Sequence, residues 1–148
     1  MPSARTLTNA RRVFADVNAV LDYVAKRGEH FLPMAKVLTL NRYGHLTIGV
    51  AASTFPFAYH QLTERLGFPS PIANRILGGF AGEVSILPVD GAVLSDAFAN
   101  PIDDLEDAVQ YACASSFGAQ LILTRDVTGF ERGTIPAAAP AEVLGQGS

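Results

Sequence analysis

Three places in this chain carry carboxylates in positions that suggest chemistry. Asp16 follows the apolar run Val13 to Ala15, Asp126 lies just past the run Leu121 to Thr124, and "IDDLEDAVQYACA" places Asp103, Asp104, Glu106 and Asp107 at the head of an alanine-rich stretch. On a helix, Asp104 and Asp107 are three apart and share a face; Asp103 and Asp107, four apart, also lie on one side, and Glu106 points elsewhere. Gathered carboxylates repel, and each raises the pKa of the others. A hard divalent cation such as Mg²⁺ or Mn²⁺ removes that cost, because it takes oxygen ligands and needs only a few from the protein. Its natural use is phosphoryl chemistry: polarising a phosphate, lowering the pKa of a water and neutralising the leaving oxygen. Each place also has a plainer reading. Acidic residues in a first helical turn suit the helix dipole, and Asp103 or Asp104 would serve as an N-cap. Asp16 alone reads as a turn residue and Asp126 alone as a loop anchor. The case for chemistry is their coincidence.

That coincidence depends on the elements that position them. Val13–Ala15 reads as a buried strand, followed by a turn with Asp16 and Asn18 and a helix through Val20, Leu21 and Val24. A second helix runs through Met34, Val37, Leu38 and Leu40, with Pro33 in its first turn and Gly44 at its stop. Further strands are expected at Leu46–Val50, Val84–Leu87 and Leu121–Thr124, with a short fifth near Ile135–Ala139. Between them lie helices over "TFPFAYHQLTERLG", over "SPIANRILGGFAGE" (ended by Gly78 and Gly79), over "GAVLSDAFAN" and over the stretch from the acidic cluster to Gly118. The segment after Asp126 reads as a loop, and "PAEVL" as one helical turn. Strands alternating with helices imply βαβ units and a parallel sheet, whose ligands sit beyond the carboxyl ends of the strands. Asp16, Asp126 and the start of the acidic helix are all expected at that edge.

The composition allows such a domain. The chain has 148 residues, of which 49% are hydrophobic and 17% charged, which suits one globular domain spanning 1–148 with its core at about 13–144 and loose ends. A formal net charge of −3 does not by itself mark a polyanion binder. The single cysteine, Cys113, excludes an intrachain disulfide and a cysteine-rich zinc site. With no secretory h-region and no apolar run of membrane-spanning length, a cytoplasmic protein without membrane contact is expected.

"VFADVNAVLDYVAKR" resembles the first motif of PIN-domain proteins: strand, Asp, one residue, Asn, apolar helix. "DDLEDAVQYACASSFGAQLILTRDVTGF" resembles their second half, where an acidic helix start leads to a strand ending in Thr-x-Asp, and "IPAAAPAEVL" resembles their final strand. The resemblance spans roughly Val13 to Leu144. It implies a Rossmann-like three-layer α/β fold with a central parallel sheet in the order 3-2-1-4-5. It also implies a Mg²⁺- or Mn²⁺-dependent endoribonuclease, most often the toxin of a VapBC-type toxin–antitoxin pair, acting on single-stranded RNA as a homodimer and silenced by its cognate antitoxin. Carried over by position, Asp16, Asp107 and Asp126 match metal ligands and Asp104 an extra carboxylate of a subgroup. Thr124 and Asn18 match supporting residues. One element departs from the pattern: the Glu usual after the second strand is expected near Phe57, and the first Glu there is Glu64, about two turns on.

The remaining candidates favour plain roles. His30, His45 and His60 are scattered without ligand spacing, and Cys113 falls on an apolar helix stripe. Arg125, between Thr124 and Asp126, reads either as a phosphate contact in substrate binding or as a solvent-exposed strand-end residue. Two other functions compete: a PIN fold with a degenerate metal site that binds RNA or protein without cutting, and a phosphatase-type or nucleotide-binding α/β protein.

Overall fold

The computed structural model describes residues 10–100, 102, 104–130 and 133–142. Asp103, the basic Arg5 and the Val143–Leu144 end of the expected last turn lie outside them. Five strands, β1 (Arg12–Ala15), β2 (Thr47–Ala51), β3 (Ser85–Leu87), β4 (Leu121–Leu123) and β5 (Ala137–Ala138), form one sheet in the order β3-β2-β1-β4-β5. Every pairing is parallel, as the resemblance implied. Six α-helices connect them among the described residues: α1 (Val17–Val24), α2 (Gly28–Arg42), α3 (Thr54–His60), α4 (Ser70–Ala81), α5 (Gly91–Ala99) and α6 (Leu105–Phe117).

The alternation of strand side chains divides the core in two. Val13 and Ala15 of β1, with Leu121 and Leu123 of β4, face a layer that includes Leu21, Met34, Leu38, Leu62 and Phe80. Phe14 and Ile122 point the other way, onto Ala97 of α5, onto Ala108, Ala112 and Cys113 of α6, and onto Phe130. Small residues let α5 and α6 lie close to the sheet on that side. The switch in strand order falls at β1, where the chain passes first to β2 and later to β4. Such a switch point opens a crevice between the carboxyl ends of the two flanking strands.

Several local expectations differ from the structure. α2 begins at Gly28, so Pro33 lies inside the helix rather than in its first turn; it removes one backbone donor there. Gly78 and Gly79 do not end α4, which runs through them to Ala81 because Leu77 and Phe80 are anchored in the core. The α3 segment ends at His60 and continues as a wider π-turn over Gln61–Arg65. The expected loop after Asp126 contains a 3₁₀ turn, Val127–Phe130, held by the burial of Phe130. No helix among the described residues is long and apolar enough to cross a membrane.

Candidate functional site

The carboxyl ends of β1 and β4 are stitched together at Asp16, whose backbone N–H donates to the Leu123 carbonyl at 3.1 Å. The Asp16 side chain is only 3% exposed. Its Oδ1 accepts from the Ala19 N–H at 2.9 Å, capping α1, and its Oδ2 accepts from the Thr124 hydroxyl at 2.5 Å. The Thr124 oxygen in turn accepts from the Asp126 N–H at 3.0 Å, so one hydroxyl ties the Asp16 carboxylate to the backbone of Asp126. Burial pushes the Asp16 pKa up to about 6; the donors from Thr124, Ala19 and the Asn18 backbone pull it back, and Asp22 adds a smaller upward push.

The second wall comes from α6. Asp104 is its N-cap, accepting from the Asp107 N–H at 3.0 Å, and Gly118 in the left-handed conformation closes its other end. Asp104 is therefore a cap, and its second oxygen remains free of that bond. Asp107 lies one turn in and is half-buried. Its pKa is also pushed up to about 6, by burial and then by the charges of Asp104, Asp126, Asp16 and Glu106. Glu106 is pushed up as well, by burial and then by Asp104, so it belongs to the same field despite pointing away in the sequence reading.

Asp126 completes the edge. Its Oδ1 accepts from the Gly129 N–H at 3.3 Å. A Cβ on Gly129 would stand 2.8 Å from Asp107 Oδ2 and 3.1 Å from Asp126 Oδ2, so carboxylates from two separate elements border one point in space. Among the described residues, no three His, Cys, Asp or Glu side chains form a ready-made metal group. The convergence is thus one of field and shared space rather than a closed coordination shell, as like charges would enforce. The all-oxygen, anionic donor set and the space a Cβ at Gly129 would fill both fit a hard divalent cation.

The structure gives two of the sequence candidates their partners. Arg125 is exposed at the strand end, one of its two readings, and its Nε and Nη2 also donate to Asp22 at 2.8 and 2.9 Å. Asp22 is buried and also faces Arg27 at 3.5 Å, and a buried carboxylate holds its cation strongly. Glu64 does not fill the place near Phe57; it pairs with His60 at 3.3 Å on the exposed surface. Buried Thr54, at the start of α3, instead accepts from Gln110 of α6 at 3.5 Å. Asp22, Gln110 and Gly129 were missed in the sequence. Asp22 and Gln110 sit within helical patterns, with hydrogen-bond partners far away in the sequence, whereas the Gly before Phe130 in "TRDVTGF" was a visible signal.

A five-stranded parallel sheet with carboxylates gathered at its β1–β4 switch point defines the PIN-like class of α/β proteins. The PIN domain pattern matches residues 12–128, and the chain belongs to the PIN-domain family. It is VapC-like in structure. It resembles VapBC2 from Rickettsia felis, solved with a promoter DNA fragment, with a TM-score of 0.68 and 11% identity over 86% of this chain and 98% of that one. It also resembles VapC20 from Mycobacterium tuberculosis, described as a toxin that cleaves the sarcin–ricin loop, with a TM-score of 0.65 and 13% identity over 82% and 95% of the two chains. A third is FitAcB from Neisseria gonorrhoeae, with a TM-score of 0.59 and 17% identity over 86% and 97%. No curated protein matches the chain in sequence.

Proposed function

We propose that the chain is a Mg²⁺- or Mn²⁺-dependent endoribonuclease, the toxin of a VapBC-type pair, acting on single-stranded RNA. The observation that carries this reading is Asp107, which lies in the combined field of Asp104, Asp126, Asp16 and Glu106 at the switch-point edge. Asp16, Asp107 and Asp126, with Asp104, would hold the cation. When bound, it would supply Lewis acidity toward the phosphodiester, the attacking water and the leaving oxygen. The chain's own residues have distinct tasks. Thr124 holds one Asp16 oxygen and the Asp126 backbone in fixed relation, and the Asn18 backbone steadies the ionised form of Asp16. Asp104 and Asp126 are exposed, so the outer rim faces solvent, where a polymer strand would approach. The structural likeness to solved toxin–antitoxin proteins supports a cognate antitoxin as partner; a homodimer as the working form and a cytoplasmic location belong to the same proposal.

The purified protein is expected to cleave RNA when Mg²⁺ or Mn²⁺ is added, and Asp16→Asn to abolish cleavage while leaving the fold intact by circular dichroism. Equal cleavage by that variant would sink the assignment. One observation favours a second reading, an RNA- or protein-binding module with a weakened site: Glu64 lies at the surface with His60, leaving the α3 side of the edge without a carboxylate. Calorimetry separates the two readings, since the absence of Mn²⁺ binding at millimolar metal supports the non-cutting module.

A further inference from the structure

The 3₁₀ turn Val127–Phe130 places a glycine against the acidic edge. Gly129 is not one of the described glycines with positive φ, so its backbone accepts any L-residue. Its bareness serves no turn. A side chain there would meet Asp107 Oδ2 at 2.8 Å and Asp126 Oδ2 at 3.1 Å before anything else. Both are mobile ends of side chains, so an added methyl would displace the carboxylates rather than the fold. The Gly129 N–H meanwhile donates to Asp126 Oδ1 and orients that carboxylate from the same point.

We propose that Gly129 is a positioning residue for the divalent cation: its missing side chain keeps Asp107 and Asp126 facing a common space. This rests on the cation-dependent reading above. Gly129→Ala pushes the two carboxylates apart and weakens cation binding, yet the backbone conformation there suits Ala, so the lower conformational entropy of the unfolded chain favours the folded state.

The two effects have opposite signs, and a merely structural role cannot produce both. The test is Mn²⁺ titration of the full chain by calorimetry without RNA, alongside metal-free thermal melts, for the wild type, Gly129→Ala and Thr128→Ala, an exposed neighbour in the same turn. Gly129→Ala is expected to melt at or above the wild type and to bind Mn²⁺ about 10- to 100-fold more weakly. Thr128→Ala is expected to bind as the wild type does. If the wild type binds Mn²⁺ and Gly129→Ala binds it equally, the inference fails and the cation-dependent reading stands. If Gly129→Ala melts well below the wild type, the glycine serves the fold and the inference also fails. If the wild type binds no Mn²⁺ at millimolar concentration, both fail.

Discussion

Asp16 and Asp107 stand at one edge of the sheet, and both are pushed up to about 6, chiefly by burial. They differ in what acts next. Around Asp16, Thr124 and two backbone N–H groups oppose the rise, so the fold itself stabilises the ionised form. Around Asp107, four other carboxylates reinforce the rise. Beyond burial, Asp16 is held by donors of the fold, and Asp107 is pushed by its fellow carboxylates. A cation would therefore change the outer wall far more than the inner one, which is already oriented by its donors.

The largest test of this contrast is pH. For both groups the folded pKa lies above the unfolded value of 3.8. The stabilisation they give is therefore complete below about pH 3.8 and is lost as pH rises through about 6. For the buried Asp16 alone the shift corresponds to about 3 kcal/mol. In chelator, these groups are expected to lower the melting temperature steadily from pH 4 to 7, and Asp16→Asn to flatten much of that fall. Mn²⁺ is expected to restore stability above pH 6 and to do little at pH 4, where Asp16 and Asp107 are protonated. A pH profile that Asp16→Asn leaves unchanged would show that the inner carboxylate is not perturbed in this way.

Next in size is the clamp behind the edge. Arg125 ties the β4 end to buried Asp22 on α1 through two hydrogen bonds. Removing one partner of a buried pair costs about 3 to 5 kcal/mol. Because the Arg125 side chain is 36% exposed, Arg125→Ala is expected nearer about 2 kcal/mol, read by urea unfolding. Arg125→Lys keeps the charge but loses the paired geometry and should fall between. If Arg125→Ala unfolds like the wild type but loses RNA affinity, the side chain serves substrate after all.

These examples also show which features the sequence made legible. Asp16 and Asp126 were placed correctly at the sheet edge because each directly follows an apolar strand, and strand ends in a parallel sheet share an edge by topology. The strand order came from the family resemblance, since local patterning does not specify which strands pair. Asp22 was hidden because it occupies a core-facing place in an apolar helix, and its hydrogen-bonded partner Arg125 lies 103 residues away. Pro33 and the pair Gly78–Gly79 misled for the same reason: packing of Met34, Leu77 and Phe80 keeps α2 and α4 helical through residues that disfavour helix. The 3₁₀ turn after Asp126 is held by the burial of Phe130, a tertiary contact with no sequence period.

The smallest effect concerns Asp104, whose two roles can be separated. As the α6 N-cap it accepts the Asp107 N–H, and as a carboxylate it adds to the field on Asp107. Serine also caps helices well, so Asp104→Ser removes the charge and keeps the cap, whereas Asp104→Ala removes both. Asp104→Ala is expected to lose about 1 kcal/mol of cap stability, partly offset by relief of repulsion at Asp107, while Asp104→Ser melts close to the wild type. Mn²⁺ titration of the serine variant then isolates the carboxylate. A loss of about tenfold or more, equivalent to about 1.4 kcal/mol, is the outcome expected of a direct ligand. An unchanged affinity would assign Asp104 to the helix alone and leave Asp16, Asp107 and Asp126 as the cation's holders.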